Sequence, residues 1–207
     1  FGEDGLILLT SDHGEEFLDH GHLGHGHTVH REMVNVPLIM KFPSADADKF
    51  GQPAIINNPV SQIDLLPSIL DYIGLQSDRT PGQPTIQGKS LLAQLRNQVP
   101  WEKKPMMASH GRHGRRTYRY RLDNTVYIKT MFYDGRPTIT KLYALDADPN
   151  EQKNMIDDKD YLQSINFNGL TAQFEKTARA LVEKGKAYKS QPQDDNIESL
   201  RAIGYVH

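Results

Sequence analysis

Two short, predominantly apolar runs, Leu6–Leu9 and Val36–Phe42, bracket a stretch that no hydrophobic core can absorb, and this bracketing constrains the fold more than any other feature. Leu6-Ile7-Leu8-Leu9 is strand-sized and apolar at every position, the pattern of a strand covered on both faces in the middle of a parallel sheet. Such a sheet needs neighbouring strands. With neither an initiator methionine nor a signal peptide ahead of this strand, the chain is expected to be the C-terminal part of something larger. Between the two runs, Thr10 to Glu32 reads TSDHGEEFLDHGHLGHGHTVHRE. Six of the nine histidines fall between His13 and His30, among Asp12, Glu15, Glu16, Asp19 and four glycines. Imidazoles and carboxylates interrupted by glycine are not expected to pack a core, because buried polar groups without partners are costly. They can surround a metal ion or an anionic substrate.

The rest of the chain reads as two textures. Ser61 to Leu75 is predicted helical, with Ile63, Leu65, Leu66, Ile69, Leu70 and Ile73 at helical spacing, Ser61 as N-cap and Gly74 as the stop. Pro67 fits only a first turn, which moves the start of the regular helix to about Leu65. Gln76 to Gly88 reads as a linker, and Lys89 to Arg96 as a short helix. After Pro100, Met106–Ser109, Arg115–Leu122, Thr125–Met131 and Ile139–Leu145 are alternating segments parted by turn residues, the signature of an antiparallel sheet. Thr171 to Lys184 is an amphipathic helix suited to covering that sheet. Gln191 to Asn196 reads as a linker and Ile197 to Val206 as a terminal helix and apolar tail.

Composition narrows the function. The net charge of −2 gives no general reason to bind nucleic acid, although Arg112 to Arg121 is locally basic. With no cysteine, disulfides and thiolate sites are excluded, and any metal must be held by His, Asp, Glu or Asn. No apolar run approaches the roughly 20 residues of a membrane-spanning helix.

Asp12 and His13 stand where the first strand ends, the edge at which open α/β sheets gather ligands. One oxygen and one nitrogen ligand suit Mn, Zn or Fe, whereas calcium prefers oxygen alone. A catalytic metal needs about three protein ligands, so the others must come from His20–His30 or from outside this chain. The Gly24-His25-Gly26-His27 run lets backbone come close to an anion while a histidine donates to it or protonates a leaving group. His20, His22 and His30 are expected in supporting or solvent-facing positions. Lys89 follows Gly88 and precedes Ser90, but GKS lacks the upstream glycine of a phosphate loop and reads as a helix start. Ser109 to Arg116, SHGRHGRR, is either a cationic surface for an anionic substrate or a solvated hairpin end.

LILLTSDHGEEFLDHGHLGHGHTVHREMVNVPLIMKFP, VSQIDLLPSILDYIGL, IQGKSLLAQL, KLYALDADPNEQKNM and LRAIGYV follow one another in the order of the C-terminal portion of the sulfatase family, within the alkaline phosphatase superfamily, which the chain resembles over nearly its whole length. The resemblance implies part of an alkaline-phosphatase-like mixed α/β sheet sandwiched by helices over residues 1–100, and a small antiparallel sheet with a covering helix over residues 101–207. It implies a metal-dependent hydrolase of sulfate esters whose Ser, Thr or formylglycine nucleophile lies outside this chain, with calcium, manganese or zinc as the cation. Asp12 and His13 match the metal-ligand pair, and His27 matches the active-site histidine of the HGH loop, with His25 as the fallback. The expected partners are a sulfated or phosphorylated small molecule or glycan and the missing N-terminal half of the domain. A periplasmic or extracellular location follows by the same resemblance. Where many relatives carry Tyr-Glu, this chain has His30-Arg31. The isolated chain is expected to be inactive for lack of a nucleophile. Phosphodiester, phosphonate or phosphoethanolamine-transfer chemistry on the same scaffold, and a non-catalytic His-rich metal-binding module, are the alternatives.

Overall fold

A computed structural model describes residues 4–51, 53–75, 86–112 and 114–189, the last six without their side chains. The chain divides into two compact units, Phe1–Gln163 and Ser164–His207. The first contains every described strand.

Strands β1 (Ile7–Thr10) and β4 (Leu38–Lys41) are the two apolar runs. They pair with each other antiparallel, Ile7 opposite Lys41 and Thr10 opposite Leu38. The consecutive apolar residues called for parallel neighbours, and none is present among the described residues. Leu9 and Ile39 accordingly remain 53% and 59% exposed. The loop between them is more regular than its glycines imply: β2 (Glu16–Phe17) and β3 (Leu23–Gly24) form a miniature hairpin, and α1 (Arg31–Val34) is a single turn leading into β4. Gly14 is required here for close approach. Its N–H donates to the Met33 carbonyl at 2.9 Å, and a Cβ at this position would lie 1.8 Å from the Glu32 carbonyl oxygen.

A short helix, α2 (Ala47–Phe50), occupies part of the connection after β4, with Phe42 and Phe50 stacked at 3.6 Å. The predicted helix forms as a 3-10 turn over Gln62–Asp64 continuing into α3 (Leu65–Tyr72), so Pro67 does sit in the first turn of the regular helix. Ser61 caps it through a capping box with Asp64. Asp64 does more than cap. Fully buried, it also accepts from the Lys89 N–H at 3.0 Å and the Lys104 ammonium at 2.6 Å. The GKS segment is thereby a structural join, and the helix behind it shrinks to α4 (Leu92–Leu95).

Strands β5 (Met106–Arg112), β6 (Arg115–Leu122), β7 (Thr125–Phe132) and β8 (Ile139–Ala144) form an antiparallel meander in sequence order, as the alternating segments predict. In register, Tyr120 faces Tyr127 and Tyr127 faces Leu142, all buried. Val126, Ile128 and Tyr143 supply the other face, and against them packs Val29, from the end of the histidine-rich loop, with Val34 and Leu145 alongside. That contact fixes the loop to the sheet. A turn of helix, α5 (Lys159–Ser164), follows.

The second unit contains α6 (Phe167–Lys189), longer at both ends than the predicted Thr171–Lys184. Leu170, Phe174 and Ala178 are buried, while Leu181 and Val182 are partly exposed. Most of the predicted 76–88 linker and all of the predicted elements in 191–207 lie outside the described residues. No described helix is long and apolar enough to cross a membrane.

Candidate functional site

The chain leaves β1 through Ser11, Asp12 and His13, and local hydrogen bonds hold this turn. The Ser11 hydroxyl donates to the His13 carbonyl at 2.6 Å, and the Gln62 amide donates to the Ser11 carbonyl at 2.5 Å. Asp12 Oδ1 accepts the His13 backbone N–H at 3.0 Å, and Oδ2 lies 3.7 Å from His13 Nε2. That backbone hydrogen bond, then the neighbouring imidazole, hold the Asp12 carboxyl below the usual carboxylate range. It is therefore ionised and available to a cation.

His13 Nδ1 lies 2.8 Å from the Gly14 carbonyl, and His25 Nδ1 lies 2.6 Å from Glu15 Oε1. Both partners are acceptors, so each ring places a proton on Nδ1 and leaves Nε2 as the nitrogen available to a cation, the arrangement of a metal-ligating imidazole. The two ring centroids are 4.7 Å apart, and ligand atoms of His13, Glu15 and His25 all lie within 4.8 Å of one another. Two nitrogens and a carboxylate, with Asp12 adjacent, fit the donor set of Zn, Mn or Fe better than that of Ca. Asp12, His13 and His25 border an open cleft of about 1830 Å³.

The other histidines part company with this group. His27 stacks on His22, centroids 4.9 Å apart, and its carbonyl accepts from Arg115 Nη2 at 2.8 Å. Of the two active-site candidates, His25 is the one beside the Asp12–His13 pair. Glu15, the third member of the cluster, was not singled out as a ligand by the sequence; the EE pair directly after SDHG was the available signal.

His20 and His30 turn inward and stack face to face at 3.7 Å. His20 Nδ1 lies 2.7 Å from Glu32 Oε1 and its Nε2 lies 2.9 Å from the Glu151 carbonyl. His30 is 2% exposed, and its Nδ1 donates to Glu151 Oε2 at 3.1 Å. Glu151 also receives the Arg31 N–H at 3.2 Å and both guanidinium nitrogens of Arg119, at 2.7 and 2.6 Å. Burial alone would raise the Glu151 carboxyl, but hydrogen bonds from His30 and Arg119, with the Arg119 charge, hold it at about 2. For His30 burial dominates and lowers its pKa. Glu151 adopts a left-handed backbone, φ 59°, at the turn that makes this possible. This part of the histidine-rich stretch is a satisfied polar core, contrary to the expectation that imidazoles and carboxylates interrupted by glycine do not pack one. His30-Arg31 serves the same join: the Arg31 guanidinium donates to Asn150 Oδ1 at 2.7 Å.

The SHGRHGRR segment is indeed the end of the β5–β6 hairpin, and it abuts the HGH loop. A Cβ on Gly26 would lie 3.0 Å from Arg112 Nη1 and 3.6 Å from His110 Cε1. Burial first, then the charges of Arg112, Arg115 and His27, lower the pKa of His110. His113 lies outside the described residues.

A family model described as N-sulphoglucosamine sulphohydrolase, C-terminal, matches residues 19–179. Mouse arylsulfatase K is 27% identical over 194 residues, covering 89% of this chain and 31% of its own length. The delta 4,5-hexuronate-2-O-sulfatase of Bacteroides thetaiotaomicron is 26% identical over 164 residues, covering 77% of this chain and 32% of its own. Among solved structures, BT4656 in complex with its substrate D-glucosamine-2-N,6-O-disulfate shares the fold with a TM-score of 0.60 at 24% identity, over 92% of this chain and 36% of that one. This chain thus spans about a third of the length of the curated relatives it matches. With the family model matched over residues 19–179, the chain belongs to the N-sulphoglucosamine sulphohydrolase C-terminal family, within the sulfatases of the alkaline phosphatase superfamily.

Proposed function

We propose that this chain is the C-terminal portion of a metal-dependent hydrolase of sulfate esters, acting on a sulfated small molecule or glycan. The observation that carries the reading is the convergence of His13, Glu15 and His25 on one exposed patch after β1, with Asp12 beside them and Asp12, His13 and His25 bordering an open cleft. Asp12 and His13 hold the cation, with Glu15 either completing the ligand set or orienting His25 through its 2.6 Å contact. When bound, a divalent cation supplies Lewis-acid polarisation of the ester and a lowered nucleophile pKa. Zinc and manganese match the donors; calcium is the third candidate. His25 contacts the sulfate or passes a proton to the leaving oxygen, and His27 is the second candidate for that role. Residues 1–100 contribute to the catalytic domain and residues 101–207 form its C-terminal subdomain. The nucleophile, formylglycine or Ser/Thr, comes from the part of the relatives that this chain does not span. A periplasmic or extracellular location accompanies this reading.

Three measurements test it. In the full-length enzyme, turnover of p-nitrophenyl sulfate is expected to fall about 100-fold or more in Asp12→Ala and His13→Ala, and more in His25→Ala than in His27→Ala. Titration of Zn, Mn and Ca is expected to show the same two aspartate and histidine variants losing affinity; an unchanged affinity identifies a mere His-rich chelator. The isolated 207-residue chain is expected not to hydrolyse aryl sulfates, and measurable turnover by it sinks the proposal of a nucleophile outside the chain. Phosphoryl transfer on the same scaffold is the second reading, favoured by Asp-His where Asp-Asn is the alternative. A Cys-x-Pro-x-Arg segment upstream decides for sulfate, and a threonine nucleophile for phosphate.

A further inference from the structure

We propose that Glu16 is a positioning residue for the sulfate-contacting histidine: one buried carboxyl that closes the HGH loop and so fixes where His25 stands. The inference rests on the sulfate-ester reading for the role of His25, and adds to it a residue that touches neither substrate nor cation.

Two adjacent glutamates grip the loop from opposite sides, as neighbouring side chains of an extended segment point to opposite faces. Glu15 is exposed, and its Oε1 lies 2.6 Å from His25 Nδ1. Glu16 is wholly buried, and its Oε1 accepts from the Thr28 hydroxyl at 2.5 Å. Glu16 also stands opposite Gly24 in the β2–β3 pairing. Its backbone thus meets the residue before His25, and its side chain holds the residue after His27. The Thr28 hydroxyl gives its one proton to Glu16 and accepts the His30 N–H at 3.3 Å, which carries the closure on to the buried join at Glu151.

The enclosed segment needs such a closure. Gly24 and Gly26 both take left-handed backbone, φ 91° and 79°, and glycine gives up the most conformational freedom on ordering. The hairpin that leads into the loop has two residue pairs, too few to hold it alone. Arg115 steadies the loop from the side of the β5–β6 hairpin, at the His27 carbonyl. Glu16 does so from a place where a carboxyl is costly, since its Oε2 is buried without a hydrogen-bond partner among the described residues. An apolar side chain of that size would bury without this cost, so the carboxyl stands there for what it holds. Wholly buried, it acts only through the loop.

In the full-length enzyme, Glu16→Ala and Thr28→Val are each expected to lower kcat on p-nitrophenyl sulfate about tenfold with KM within about twofold, since a slightly displaced histidine leaves binding intact and spoils the reacting geometry. The double variant is expected to be no slower than either single one, because both remove the same hydrogen bond. Glu16→Gln keeps the acceptor and Thr28→Ser the hydroxyl, and both are expected to hold kcat within about threefold of wild type. Hydrogen exchange read by mass spectrometry is expected to quicken at the amides of residues 24–28 in Glu16→Ala and Thr28→Val, with those of β6 and β7 unchanged. Thr28→Val, which removes only the hydroxyl, carries the test should Glu16→Ala not fold. Unchanged kcat, additive losses, or exchange that quickens throughout the meander overturns the proposal. If the wild type leaves p-nitrophenyl sulfate intact, the sulfate-ester reading falls by itself, and exchange at residues 24–28 decides whether Glu16 positions His25.

Discussion

The strand pair β1/β4 and the meander β5–β8 are both antiparallel and both hold the histidine-rich loop, but they are built in opposite ways. The meander closes its own core: Tyr120, Val126 and Leu142 are fully buried. The strand pair does not, and Leu9 and Ile39 both stay more than half exposed. The loop hangs between a self-sufficient support and an open one. Its open end carries Asp12, His13 and His25, while its closed end is pinned through Val29 and His30 to Glu151 and Arg119. Ligand-side residues are thus exposed and lightly held, and the residues that position them are buried and heavily bonded.

The sharpest way to break this comparison is to cut the pin. Arg119→Ala leaves the Glu151 carboxylate buried with its main countercharge gone and is expected to destabilise the fold by about 4 kcal/mol in urea unfolding. A loss below about 1 kcal/mol would mean that the network positions nothing. Leu142→Ala, in the closed core, is expected to cost about 3 kcal/mol, within the usual range for a buried leucine.

Acidification probes the same pin without mutation. The Glu151 carboxyl, held at about 2 against an ordinary 4.5, and His30, lowered from 6.5, both bind protons more readily in the unfolded chain. Stability is therefore complete above pH 6.5 and declines on acidification, first through the His30 window and then between pH 4.5 and about 2. The lower window accounts for roughly 3 kcal/mol. Glu151→Gln should flatten that lower window, and a wild-type stability that rises on acidification contradicts the assignment.

Smaller effects lie on the open side. Gly26→Ala, strained at φ 79° and crowding Arg112, is expected to cost about 1 kcal/mol by thermal melt. Ile39→Ala in the exposed strand should cost about 0.5 kcal/mol. If Ile39→Ala instead costs as much as Leu142→Ala, the strand pair is covered in the protein as it exists, and the contrast between the two supports disappears.

Much of this was legible in advance. Alternation and turn residues located all four meander strands to within a few residues, and Ser61, Pro67 and Gly74 set the limits of α3, because these signals act over a few residues of chain. The Asp12-His13 pair could be placed at a strand end for the same reason. What escaped was the burial of His20 and His30, expected only in supporting or solvent-facing positions, and the choice between His25 and His27. His20 and His30 lie among the same glycines and carboxylates as His13 and His25, yet the first two are core and the last two face the cleft. Nothing within ten residues distinguishes them.

By itself, then, the sequence determined the elements, the family and the strand-end pair, all of which depend on local pattern or on the order of motifs. Only the tertiary structure decided which histidines support and which are presented. That choice is made by a carboxylate 121 positions away from His30 and a guanidinium 32 positions from that carboxylate. It brought His25 rather than His27 to Asp12 and His13, and it set the cationic hairpin tip against Gly26. Burial converts such long-range pairings into large energies, because a charge taken from water must find its partner wherever the fold delivers it.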